Sequence, residues 1–226
     1  MKTLKESILS STKTGKENIK EKVKEWAQKN LRGNFVCDLK ISSVRDGYIA
    51  VNELTKEIPD YINFDYVYEF IINNHINDIT EKQFPNTISR LLFWGDCTEI
   101  DCPFTLKVDK RITCGGYQHL LTKIKHFDIE FKKSNDKNDG VLDLDYTGLK
   151  LEEIQKITAK NINILKIKDT PAGKTLIRNC KKFPKVDKAG LTKYLDDIFK
   201  NFEGLNIVDL NSRTMLRKAG NSWYII

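Results

Sequence analysis

Cys97, Cys102, Cys114 and His119 are separated by four, eleven and four residues, a spacing that could bring thiolates and an imidazole onto one tetrahedral zinc ion. The same residues also fit a repeat. Cys97 falls where Ile76 and Tyr117 fall in neighbouring copies, Cys114 lies in an apolar strand-type run, and His119 directly precedes the apolar Leu120. Repeat register accounts for most of this spacing, so the cysteines read as buried thiols and no metal is expected. Asp128, Glu130 and Lys132 alternate in a second candidate set, the carboxylate-x-lysine arrangement of nucleases whose acidic ligands hold magnesium beside a lysine. No convincing upstream carboxylate accompanies them, and alternating charge is ordinary on a solvated sheet face. A small metal-dependent nuclease therefore stands as a second alternative only.

Two further motifs fail on their chemistry. Ser10 to Lys16 ends in Thr-Gly-Lys, but a phosphate loop would need glycine at Ser10, and Glu17 stands where a hydroxyl should meet magnesium. His75, His119 and His126 are the chain's histidines, and none lies in a recognisable serine or cysteine nucleophile context. Neither catalytic residues nor a cofactor are expected. The strongest charge concentration is Lys174, Arg178, Lys181, Lys182, Lys185 and Lys188, which encloses Phe183 and Pro184 and is opposed only by Asp187. It reads as a basic loop that is solvated, or faces an acidic protein, or contacts phosphates while Phe183 stacks on a base.

Composition narrows the setting. The chain has 226 residues, 40% of them apolar, enough for a sizeable core. Its 38 Lys and Arg exceed 31 Asp and Glu, giving a net charge of +7, which permits acidic or nucleic-acid partners without requiring them. Five cysteines, an odd number in a chain of this length, argue for reduced thiols. No apolar run approaches the roughly 18 residues of a membrane span, and the N-terminus alternates Lys and Glu without a signal peptide's apolar centre. A soluble cytoplasmic protein is expected.

The elements that must position these residues follow a period. Phe70 to Ile79, Leu91 to Ile100 and Arg111 to Leu120 align as apolar run, polar turn and apolar anchor, with an earlier copy ending at Ile58. A period of 20 to 21 residues with one strand per copy is the signature of a leucine-rich-repeat-like solenoid. Before these copies, Leu4, Ile8 and Leu9, then Ile19, Val23, Trp26 and Ala27, recur at helical spacing. Lys132 to Gly140 holds no large apolar residue and reads as a boundary or protruding loop. Beyond it, the runs 141–149, 164–170 and 205–212 alternate as strands, with amphipathic stretches around Leu151 to Ile157 and Leu191 to Phe202. Strand-helix-strand in one sheet demands parallel strands and right-handed crossovers.

The phrases Leu4-Lys5-Glu6-Ser7-Ile8-Leu9-Ser10-Ser11, Thr14-Gly15-Lys16, the Trp26 helix, Gly33 to Cys37 and Leu54 to Pro59 resemble a loose group of uncharacterised leucine-rich-repeat-like proteins of gut bacteria and their tailed phages. The resemblance covers about residues 1 to 125 and brings no catalytic residues. It implies a phage or phage-derived interaction protein, located in a host cytoplasm or virion, whose partner is a virion or host component.

The expected architecture is α+β: N-terminal helices over residues 1–32 cap an irregular leucine-rich-repeat-like solenoid sheet. Residues 33–131 form degenerate strand-rich repeats, 132–140 a polar loop, and 141–226 strand-helix repeats of βαβαβ character continuing the same sheet. The expected function is non-enzymatic binding of a protein partner through the solenoid face, with Tyr66, Tyr68, Trp94 and Tyr117 as contacts. Nucleic-acid binding through the N-terminal helices and the 174–188 segment is the alternative.

Overall fold

The computed structural model describes residues 21–29, 32–33, 36–38, 43–45, 48–51, 63–72, 81, 84, 88–93, 97–114, 118–184 and 187–226. The fold is mixed α+β, rich in strands and with few helices. Within the first described stretch, 21–29, lies helix α1, whose Val23 and Ala27 are buried in the common core while Trp26 packs against it. The strands are β1 (Arg32–Gly33), β2 (Val36–Asp38), β3 (Ser43–Arg45), β4 (Tyr48–Val51), β5 (Asn63–Ile72), β6 (Ile88–Phe93), β7 (Glu99–Val108), β8 (Arg111–Cys114), β9 (Lys123–Phe131), β10 (Val141–Asp143), β11 (Thr158–Lys160), β12 (Ile164–Lys166), β13 (Ile207–Asn211), β14 (Thr214–Ala219) and β15 (Ser222–Ile225). Helices α2 (Leu151–Ile154), α3 (Pro171–Cys180) and α4 (Lys188–Ile198) fall in the last third.

Strands β4, β5, β6, β8, β10, β12 and β13 run parallel in the larger sheet and follow one another in chain order. The antiparallel pair β14 and β15 completes that end. Between these strands the chain returns through a second parallel sheet, ordered β11-β9-β7. Phe202 extends the second sheet by a parallel bridge to Ala159. The chain thus alternates between two sheets, and their facing side chains make the core.

Register shows why the apolar runs recur. Phe70, Leu91, Ile112, Leu142, Leu165, Val208 and Leu216 are successive cross-strand partners, and none is more than 1% exposed. Burying each such side chain contributes roughly 1.5–3 kcal/mol, so the column is a large share of the driving force. The second sheet faces it with Ile100, Phe127, Ile129 and Phe131, and Phe93 meets Phe127 edge-on at 6.2 Å between ring centroids. The repeat alignment needs one correction: Leu91 pairs with Ile112, not Arg111, so this copy lies one residue later than its sequence alignment. A slip of one residue exchanges the two faces of a strand, and only Ile112 can fill the buried position. The buried residue at the end of the copy is correspondingly Leu121, with Leu120 half-buried.

The basic loop expected over 174–188 is corrected in part: 174–180 is helix and Lys188 opens the next, while 181–184 is turn. Thr170 caps α3 by accepting from the Gly173 N–H at 2.9 Å, Pro171 takes the first turn, and Ala172, Leu176 and Cys180 form a buried stripe at four-residue spacing. Asp187 caps α4 in the same way, accepting from the Gly190 N–H at 2.9 Å. Helix α4 buries Leu191, Leu195 and Ile198 and holds the C-terminal hairpin: Asp196 accepts from the Trp223 indole N–H at 2.9 Å and from Lys218 at 2.8 Å. The βαβαβ expectation is modified as well, since β11, which follows α2, joins the second sheet.

The polar segment 132–140 closes on itself, with Ser134 donating to Asp139 and accepting from the Asp136 N–H. Asn163 Nδ2 then donates to the Lys137 carbonyl at 2.7 Å, and Asn206 Nδ2 to Asn163 Oδ1 at 3.0 Å, satisfying the turns that precede β12 and β13. Gly140 ends this segment at φ +69°, where an added Cβ would lie 2.7 Å from the Asn161 carbonyl oxygen. Gly140→Ala is therefore expected to lose about 2 kcal/mol in urea denaturation. Gly220→Ala, at φ +59° but with open space around it, should lose clearly less.

Candidate interaction surface

Because the strands stack in register, the residues opposite the core column also align. One outward row runs Glu69, Arg90, Arg111, Val141, Ile164, Ile207, Arg217 and Tyr224; the next runs Ile71, Leu92, Thr113, Asp143, Lys166, Asp209 and Met215. Sequence alternation places Asp143 and Asp145 on the outward side, opposite Leu142 and Leu144; register sets Asp143 beside Thr113 and Lys166, while Asp145 follows β10. Asp143 is nevertheless buried, because Arg111 lies against it in a close ion pair and Lys166 approaches at 3.9 Å. Arg111 Nε also donates to Thr113 at 3.1 Å. Across the next strands Lys168 pairs with Asp209 at 3.0 Å, and its backbone N–H donates to Asp145 at 2.7 Å. Partly buried pairs of this kind fix side-chain direction more than they add stability.

Arg90 stands apart from these pairs. Its guanidinium lies 5.1 Å from the ring centroid of Tyr68, which is 43% exposed, so a cation and an aromatic face are presented together to solvent. Of the four expected contact aromatics, Tyr68 is thus on the surface. Tyr66 belongs to β5, and its side chain, with Trp94 and Tyr117, lies outside the described residues.

The basic set divides. Lys174, Arg178, Lys181 and Lys182 are exposed along α3 and just after it, without an ion pair among the described residues, whereas Lys185 lies outside them. Lys188 belongs to α4 and places its ammonium 5.4 Å from the Tyr224 ring centroid. Phe183 packs on Tyr194 with the rings tilted at 37° and 5.4 Å between centroids, and also packs against the core, which ties its ring to the protein.

The chemical candidates do not gather into one site: Cys102, Asp128 and Glu130 belong to the second sheet, Cys114 to β8 of the larger one, near Cys97. Cys102 and Cys114 are buried and Cys97 half-buried, while His119 is exposed; among the described residues no group of His, Cys, Asp or Glu could hold a metal ion. Burial pushes the Cys102 thiol up to about 11 and raises that of Cys114 still further. Asp128 and Glu130 are exposed on β9, Asp128 between Thr105 and Thr158 and Glu130 between Lys107 and Lys160. On the same sheet Asp101 accepts from Lys125 at 2.6 Å and meets His126 Nδ1 at 2.7 Å, and these hydrogen bonds hold its carboxyl below the usual range. The Ser10 to Lys16 segment lies outside the described residues, as do most phrases that carry the resemblance to phage and gut-bacterial proteins.

No family model, curated protein or solved structure matches the chain. No helix among the described residues is long and apolar enough to cross a membrane.

Two carboxylates should affect stability with opposite pH dependence. Burial, reinforced by Asp143, raises Asp145 above its ordinary value despite the Lys168 N–H, so its folded-state advantage exists at low pH and is lost as pH rises through the raised value. Asp145→Asn should be at least as stable as wild type at pH 7, with the gain vanishing below about pH 4. Burial also pushes Glu153 upward, but its hydrogen bonds from the Ile124 N–H and Lys156 outweigh that and lower it overall, so its contribution is present at neutral pH and lost on acidification. Glu153→Ala should cost about 1–2 kcal/mol at pH 7 and less in acid, measured by denaturation across pH.

Proposed function

We propose that this protein is a non-enzymatic binding module, an irregular leucine-rich-repeat-like solenoid whose outward sheet face engages a protein partner. The observation that carries this reading is the ladder of outward residues: parallel strands in chain order bring Glu69, Arg90, Arg111, Thr113, Asp143, Lys166 and Asp209 onto one continuous face. Stacked units of this kind build an extended surface on which exposed side chains such as Arg90 alternate with packed ones such as Val141. Ion pairing sets the direction of the charges in the centre of the face, so little ordering entropy remains to be lost there on association. Tyr68 with Arg90 supplies the aromatic and guanidinium chemistry that dominates protein interfaces. The partner is a virion or host component if the resemblance of the N-terminal phrases to phage and gut-bacterial proteins is followed.

Nucleic-acid binding is a second reading, supported by the basic residues of α3 that have no ion-pair partner among the described residues. The packing of Phe183 against Tyr194 weakens it, since that ring is already engaged.

Affinity capture from host or phage-infected lysate, with and without nuclease, separates the two. The protein reading expects a stoichiometric partner that survives nuclease and is retained about tenfold less by Tyr68→Ala/Arg90→Glu. Loss of every partner on digestion, or equal capture by the variant, would overturn the assignment of the sheet face.

A further inference from the structure

A groove of about 430 Å³ opens on the helix side of the C-terminal hairpin, away from the outward face. Its floor is apolar, made by Ile177 of α3, Leu210 of β13, Leu216 of β14 and Ile225 of β15; Lys181 and Arg213 stand among its polar lining, and no carboxylate lines it among the described residues. Ile225 is 46% exposed although it shares a register position with the fully buried Leu216. It is not a frayed end, because the next residue, Ile226, exchanges two backbone hydrogen bonds with Met215 at 2.8 and 2.9 Å. A large apolar side chain is therefore held half-open in a hollow bordered by positive charge. Arg178 on the adjoining helix and Lys182 in the turn after it extend that charge, and neither they nor Lys181 and Arg213 have an ion-pair partner among the described residues.

We propose that this groove is a docking site for an acidic protein segment that carries a large apolar side chain. The apolar residue would cover Ile225 and Leu210, and flanking carboxylates would meet Lys181 and Arg213. Charge complementarity selects this occupant over a second copy of the chain, because an isologous contact would set these cations against themselves. Bases are disfavoured as well, since the described lining residues include no aromatic on which to stack and Phe183 is engaged with Tyr194. Docking proceeds through side chains and not by strand addition at Trp223, whose outward N–H already donates to Thr192 Oγ1 at 3.1 Å. The binding is non-covalent: Cys180, at the groove wall, is buried, and burial pushes its thiol up to about 11. This site uses residues distinct from those of the sheet face and stands or falls independently of that reading.

Fluorescence anisotropy with the full chain tests it, using a labelled ten-residue peptide with one phenylalanine flanked by glutamates. Controls are the same peptide with serine for phenylalanine and a single-stranded oligonucleotide of equal charge. Saturable binding of the first peptide is expected, at least tenfold weaker for the serine peptide, for Ile225→Ser and for Lys181→Glu/Arg213→Glu. Amide shifts on titration should concentrate at 177–181, 210–216 and 225. Lack of saturable binding, indifference to these substitutions, or an oligonucleotide that binds as tightly as the peptide would overturn the proposal. Arg213→Glu alone, in an exposed turn, carries the test if Ile225→Ser fails to fold.

Discussion

Register in the larger sheet is the constraint on which the rest of the structure depends. Parallel strands that follow one another in chain order hydrogen-bond residue to residue, so placing Phe70, Leu91, Ile112, Leu142, Leu165 and Val208 in one buried column fixes the direction of every other side chain in those strands. The returns absorb the differences in spacing. Leu91 and Ile112 are 21 residues apart, Ile112 and Leu142 are 30, and Leu165 and Val208 are 43, yet the column is unbroken. The polar segment 132–140 and the pair α3 and α4 are accommodated outside the sheet. Conservation of register through unequal insertions is what gives the outward face its continuity.

Polar groups keep that register from slipping. Thr147 and Thr170 occupy equivalent places after β10 and β12, each donating its hydroxyl to the carbonyl three residues earlier, Leu144 at 2.9 Å and Ile167 at 2.8 Å. Asn163 and Asn206 tie successive turns together at the opposite end of the strands. The two threonine bonds are buried and contribute about 1 kcal/mol each, but leaving either unmade costs more, which penalises alternative pairings; the asparagine bonds are exposed and weaker. The ion pairs between Arg111 and Asp143 and between Lys168 and Asp209 act similarly across the face, since each requires its strands to be neighbours at one offset.

The period was legible because an inward column must be apolar at every strand. Its phase was less so: Leu120 and Leu121 are adjacent, so spacings of 20 and 21 residues satisfy the anchor equally, and only burial of Ile112 in place of Arg111 decides between them. Helix α3 was hidden by its own charge, as four basic side chains in 174–182 outweigh a narrow buried stripe of Ala172, Leu176 and Cys180; the cap Thr170 followed by Pro171 was the available signal. Tyr68 could be named from its type, whereas its partner Arg90 could not, because pairing across strands needs the register first. The C-terminal groove was out of reach for the same reason, drawing its floor from four separate elements.

The register column can be observed directly by methyl-methyl nuclear Overhauser effects in protein labelled at Ile, Leu and Val methyls. The account predicts strong cross-peaks linking Leu91 to Ile112, Ile112 to Leu142, Leu142 to Leu165 and Leu165 to Val208, across insertions of unequal length. Absence of the Ile112 to Leu142 contact, or contacts displaced by one residue along either strand, would contradict the single in-register sheet and with it the continuous face proposed for binding.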